Sequence, residues 1–430
     1  MNRESLVEMA LGITAGLFIV VIAAYRSKKT PTPGVLRRNA MLALLTYAII
    51  AVPVFTPTGM TVVGLVGLFI VVVLAFLGAS LAGRFSSDES RDGVRYLQAL
   101  VSTGVAAVLL IATGQTISLV SRVDPRVIVV VIGVIAALLV AAQGLVASSR
   151  ISSLTMWLLL LPIFISLALG FGLGSVPVVF SPIRVIDAAP IASIIAVAVA
   201  VFLLGWADNS LAATARIARW SPIRVLTWTL VVMLLVFFGL LMFFGGAIFA
   251  PSMEFFVVPS NIDALPGLAA VILAVLTVLF ASLVANALAS AGMLGIESSP
   301  VTETGETTED QTDEIDSRFA VAQSWVWVAA AIAIVVALID PASNRVLVVT
   351  ALVAAAVVGS NVARGERVRS AVAGLIVAVV ATVVLAIFGQ LQLGWWAIVA
   401  MAVTFLVALV VGKAGISSPS AQPQPVAAGQ

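Results

Sequence analysis

Residues 369–388 read RSAVAGLIVAVVATVVLAIF, and residues 394–412 read GWWAIVAMAVTFLVALVVG, with only GQLQL between them. After Arg369 neither run carries a charged residue. At 1.5 Å per residue, about 20 helical residues cover roughly 30 Å, the thickness of the hydrocarbon part of a bilayer. A helix at the surface of a soluble domain would show a polar face, and these runs have none. Each therefore reads as a membrane span.

Working outward, the same pattern recurs along the chain. Apolar runs separated by charges or by Pro/Gly clusters lie near 6–25, 40–55, 60–83, 95–120, 126–148, 154–174, 189–209, 224–249, 265–295, 320–339 and 345–363. With the first two, they make about thirteen spans. The fold class expected is an all-α polytopic membrane bundle. Composition agrees: hydrophobic residues make up 62%, charged residues 10%, and mean hydropathy is +1.20. A soluble domain carries roughly 25% charged residues, so this chain has too little polar surface to cover a water-facing body. The first apolar run is too long for a cleavable signal peptide, and no small-residue cleavage site follows it.

Charge sets the orientation. With the N-terminus outside, the inside loops hold Arg26, Lys28, Lys29, Arg37, Arg38, Arg84, Arg91, Arg95, Arg150, Arg216, Arg219, Arg224, Arg318, Arg364, Arg367, Arg369 and Lys413. Only Arg3, Arg122, Arg126, Arg184 and Arg345 of the 22 basic residues then lie outside. Basic residues concentrate on the cytoplasmic side of membrane proteins, so the C-terminus is expected in the cytoplasm of a cell-membrane protein. Two stretches do not read as membrane. Residues 297–317, ESSPVTETGETTEDQTDEIDS, are acidic and Thr-rich and read as a disordered cytoplasmic linker. This linker is either a solvated spacer or a docking segment for a protein partner. Residues 413–430 read as a disordered tail.

Much chemistry is excluded. The chain has no Cys and no His, which removes disulfides, thiolate nucleophiles and the usual zinc sites. No HExxH, GxSxG or Walker A sequence is present, so neither a hydrolase nor an ATP-driven pump is expected. The scattered basic residues form no nucleic-acid patch. The expectation is a non-enzyme whose partners are the lipid bilayer and a small solute.

Polar residues inside spans are then the candidates, because each must be satisfied where no water is at hand. In the second span Pro53 follows Thr46, Tyr47 and Ala51 and frees a backbone carbonyl, which suits a cation or marks an ordinary helix end. Gln115, with Thr113, lies in the fourth span and faces either a pathway or a neighbouring helix. Ser282 and Asn286 in the ninth span are one turn apart and share a face. Asp208, in GWADNS at the end of the seventh span, reads either as a cation or proton site or as a hydrated helix end, and the second reading is favoured.

The order of these segments resembles the sodium:solute symporter family, in its cation/acetate (monocarboxylate) branch. AAYRSKKTPTPG is similar to the family's first basic loop, and RRNAMLALLTYAIIAVPVF, with Asn39 and Tyr47, to its first core helix. LAGRFSSDESRDGVRYLQAL and LLIATGQTISLVSRV resemble the loop into the fourth span and its Gln/Gly stretch. VIGVIAALLVAAQGLVASSRISSLTMW looks like the next span and its small-residue turn, AVLTVLFASLVANALASAG the helix of sodium-site hydroxyls, and ERVRSAVAGLIVAVVATVVLAIFG the penultimate helix.

The resemblance implies an inverted five-helix-repeat core: residues 1–39 a first helix and basic loop, 40–174 one repeat, 189–363 the second, 364–412 two accessory helices. It implies sodium-coupled symport of a small organic solute such as a monocarboxylate. Sodium would sit between carbonyls at Ala51 and Pro53 and the Ser282 hydroxyl, with Tyr47, Gln115 and Asn286 along the solute path. The chain departs from the family where Ala48-Ile49-Ile50-Ala51-Val52 replaces small polar residues and Leu283 follows Ser282. These losses favour an alternative, a non-transporting relative serving as a sensor or accessory subunit. A polar, solvent-connected pocket between the second and ninth spans supports transport, and a dry, filled core there supports the alternative.

Overall fold

In a computed structural model of the chain, the structure describes residues 3–25, 43–47, 49–51, 62–85, 92–121, 123–158, 188–208, 268–292, 323–340, 342–363 and 367–414. Nearly all of these are helical: α1 (Arg3–Tyr25), α2 (Val62–Phe85), α3 (Asp92–Ser121), α4 (Pro125–Leu158), α5 (Ala188–Ala207), α6 (Leu268–Gly292), α7 (Gln323–Ile339), α8 (Ser343–Ala363), α9 (Arg367–Ile387) and α10 (Trp395–Ala414). A further short helical stretch covers 43–47 and 49–51. Among the described residues, six helices have windows long and apolar enough to cross a membrane, in α3, α4, α6, α8, α9 and α10. α1, α2, α5 and α7 contain shorter apolar stretches. The chain is a multi-pass membrane protein.

Local chemistry explains the ends. Asp124 accepts the Arg126 backbone N–H at 2.8 Å as the N-cap of α4, and Pro125 fills the first helical position, where its missing donor costs nothing. At the end of α9 the chain turns through Gly389, at φ +67°, a left-handed conformation that only glycine adopts without strain, and Gln390 N–H closes on the Leu385 carbonyl at 2.8 Å.

The sequence places a cytoplasmic break at Arg150, but α4 runs through it for 34 residues, to Leu158. No Pro interrupts 143–158, and its only Gly, Gly144, does not break a helix by itself, so nothing in the backbone forces a stop. The small-residue turn that the resemblance implies there is not present within α4. The proposed span near 224–249, most of that near 154–174, the acidic segment 297–317 and the tail beyond 414 lie outside the described residues.

Packing sorts the helices by depth. The spanning window of α6 is 94% buried, against 28% for α9 and α10. α6 is therefore the centre of the bundle, while α9 and α10 show Val372, Ile376, Val379, Val383 and Val403 outward, as lipid contact requires. α3, α4, α6 and α7 all pack on one another, and α1 docks on α6 and α4. α2 pairs with α5, and α8 joins that pair to α3 on one side and to the α9–α10 hairpin on the other.

Two of the contacts made at backbone distance join α1 to α6 and α2 to α5. Gly12 and Gly16 stand one turn apart on α1, and a methyl at either would lie 2.5 Å and 2.8 Å from the carbonyl oxygens of Ala270 and Ala274 on α6. This is the small-xxx-small arrangement that lets helices approach closely in lipid. Gly78 of α2 and Gly205 of α5 do the same reciprocally, each facing backbone atoms of the other helix.

Candidate functional site

α5 ends at Ala207, and the next residue is Asp208. Its side chain is not at a hydrated surface: Asp208 is 8% exposed. This departs from the reading favoured on sequence, in which the carboxylate stays in water at a helix end. The Tyr47 hydroxyl donates to Asp208 Oδ2 at 2.8 Å and also lies 3.4 Å from the Leu204 carbonyl in the last turn of α5. The Ser290 hydroxyl of α6 donates to Asp208 Oδ1 at 3.0 Å. Ser290 Oγ is 3.0 Å from Ser102 Oγ of α3. A hydroxyl has one proton, and Ser290 gives its own to the carboxylate, so Ser102 is the donor to Ser290. The result is a relay of hydroxyls ending on one buried carboxylate, drawn from the 43–51 stretch, α3, α5 and α6.

A small cavity opens beside it, lined by Thr46, Tyr47, Ser102, Asp208, Asn286 and Ser290 together with apolar residues of the same helices, with room for a water-sized body. Asn286 is 4% exposed, and its Oδ1 has no hydrogen-bond partner among the described residues. Asn286 and Ser290 are one turn apart on α6 and so share its face.

Of the residues singled out in the sequence, Thr46, Tyr47, Asp208 and Asn286 line this cavity. Ala51 is fully buried in the apolar core. The Ser282 hydroxyl donates to the Leu279 carbonyl of its own helix at 2.7 Å. Gln115 is on α3, thirteen residues beyond Ser102, or about 20 Å along the axis, and takes no part in the cluster. Thr113 bonds the Leu109 carbonyl at 2.6 Å, an ordinary way for a hydroxyl to be satisfied within a helix. Pro53 lies outside the described residues. Sequence reading missed Ser290 and Ser102. Ser290 was legible, because Ser282, Asn286 and Ser290 repeat at four-residue spacing on one face of α6. Ser102 carries no such signal.

Among the described residues, oxygen is the only ligand type the site offers. A carboxylate, hydroxyls and an amide oxygen suit hard cations, not soft transition metals. The carbonyl end of α5 adds the negative pole of a helix dipole in the same place.

No protein-family model matches this chain, and no curated protein matches it. Among solved structures it is similar to a Na+-coupled sialic acid symporter in a substrate-bound outward-open state, at 12% identity and a TM-score of 0.55, over 96% of this chain and 97% of that one. It also aligns with a variant of a manganese transporter from Eremococcus coleocola, at 16% identity over 98% and 91% of the two chains, with a TM-score of 0.37. Only the first is a fold match, and it extends over nearly the whole of both chains.

Proposed function

We propose that this protein is a secondary active transporter that takes up a small organic solute in symport with a cation. The observation that carries the reading is the polar cavity between the Tyr47 stretch and α6, with a buried carboxylate at its edge. A membrane protein whose core serves only to hold helices together has no need of Asp208 there, since an ionised side chain away from water is costly unless it works. A polar rather than dry and filled core between these two elements supports transport over a sensor or accessory role.

The fold shared with a sodium-coupled symporter supports the same conclusion. So does the arrangement of the four mutually packed helices. In the proposed inverted-repeat reading, α3 and α4 are the third and fourth helices of the first repeat, and α6 and α7 are the third and fourth of the second. Such transporters place their sites beside interrupted helices at the repeat interface, where helix ends face the ligand. The end of α5 at Ala207, just before Asp208, supports this reading. In this reading the N-terminus is outside, cation and solute enter together, and rocking of one group of helices against the other opens the cavity to the cytoplasm.

The solute proposed from the family resemblance is a monocarboxylate. The test is uptake of radiolabelled acetate, propionate and pyruvate into proteoliposomes, with and without an inward sodium gradient. Accumulation that follows the gradient is expected. Folded, reconstituted protein that moves none of these, nor a broader panel of small organic solutes, would sink the transport reading.

A further inference from the structure

We infer that Asp208, Asn286, Ser290, Ser102 and Tyr47 form a binding site for a single dehydrated sodium ion, distinct from the position between Ala51, Pro53 and Ser282 that the sequence suggests. Its purpose rests on the transport reading above, but its existence does not.

Three observations converge. First, oxygens from four separate elements are linked in one chain along the wall of the cavity: Tyr47 and Ser290 hold the two Asp208 oxygens at 2.8 Å and 3.0 Å, and Ser102 holds Ser290 at 3.0 Å. Second, Asn286 Oδ1 is buried beside the same cavity with no hydrogen-bond partner among the described residues. A buried amide oxygen left this way has lost its water without replacement, so a cation that it can coordinate removes a standing penalty. Third, the cavity has room for a body the size of a water molecule, which is also about the size of a bare sodium ion.

The charge and ligand set select the ion. Calcium takes six to eight oxygens and usually several carboxylates. Among the described residues no group of three or more acidic, His or Cys side chains exists anywhere, and this cavity offers one carboxylate. Serine and tyrosine hydroxyls can donate to their present acceptors and still turn a lone pair toward a cation, so the relay need not be broken when the ion binds. A proton on Asp208 is the competing occupant. It would need no cavity, and it would convert an acceptor oxygen that a hydroxyl already uses into a donor.

The experiment measures binding directly, on the purified full-length protein in detergent, with radiolabelled sodium and a scintillation proximity readout. Saturable binding displaced by unlabelled sodium is expected. Asp208→Asn should weaken it by at least about tenfold, and Asn286→Ala and Ser290→Ala by several-fold each. The two milder variants keep the test open if the aspartate variant does not fold, which gel filtration would reveal. Binding that survives all three changes but is lost in Ser282→Ala would overturn the assignment in favour of the sequence-derived position. So would no sodium binding together with solute uptake driven by a pH gradient, which leaves transport standing and makes the ion a proton. Sodium binding sensitive to Asp208 and Asn286, with no solute ever moved, would instead keep the site and remove the transporter.

Discussion

At the scale of single residues, position along a helix matters less than what stops the helix. Asp208 ends an apolar run, and from the sequence a carboxylate there looks the same whether the run stops at a membrane surface or inside the protein. Nothing in GWADNS reports depth; only the arrival of Tyr47 and Ser290 does. Asn286 was legible because four-residue spacing puts it on the Ser282 face, whereas Ser102, in LVSTGVAAV, is one hydroxyl among several on a helix that could bond any neighbour. Replacing Tyr47 by Phe keeps the ring and removes one donor to the carboxylate. Hydrogen bonds to charged groups contribute roughly 1.5–3 kcal/mol, so the variant should unfold at a lower temperature in detergent than the parent protein. An unchanged midpoint would mean that the Tyr47–Asp208 bond contributes nothing. Asp208→Asn, reconstituted in proteoliposomes, should cut gradient-driven solute uptake by at least about tenfold; uptake at the parent rate would separate the carboxylate from coupling.

At the scale of helices, most of the sequence reading stands. The apolar runs near 189–209, 265–295, 320–339, 345–363, 369–388 and 394–412 appear as helices α5 to α10 within a few residues, and in α6, α8, α9 and α10 they are long enough to cross a membrane, because apolar length and flanking charge decide them without help from tertiary packing. The break expected at Arg150 fails for the converse reason: a single charge does not end a helix when no residue there disfavours one, and α4 continues. The way helices are joined was not read at all. GITAG, residues 12–16, is a GxxxG pattern, but only the structure shows that its partner is the Ala270–Ala274 face of α6. Leu at Gly12 or at Gly78 would drive four extra carbons into a facing backbone, which cannot yield as a flexible side chain does. Such overpacking typically costs about 1–3 kcal/mol, and each variant should show a lower thermal midpoint. If Gly12→Leu melts with the parent protein, α1 is not held where the structure puts it.

At the scale of the whole molecule, orientation rests on the distribution of Lys and Arg, and the absence of any native Cys makes it simple to examine. A single cysteine at Asn2 should react with a membrane-impermeant maleimide on intact cells, and one at Ser420 only after permeabilisation; the reverse pattern would invert the proposed topology. The two glycine seams carry a further consequence. α1 is fastened to α6, and through it to α3, α4 and α7, while α2 is fastened to α5, whose direct contact with α3 is slight. Asn286, Ser290 and Ser102 belong to the first group and Asp208 to the second. Phe18 on α1 and Leu77 on α2 both point outward, at 65% and 44% exposure, and neither touches the cavity. A pair of spin labels at those two positions is therefore a ruler laid across the seam. Its reading should shorten to one narrow distance distribution when sodium clamps the halves together and broaden when sodium is withdrawn, so that occupancy of the site can be followed from the lipid-facing surface without a label near it.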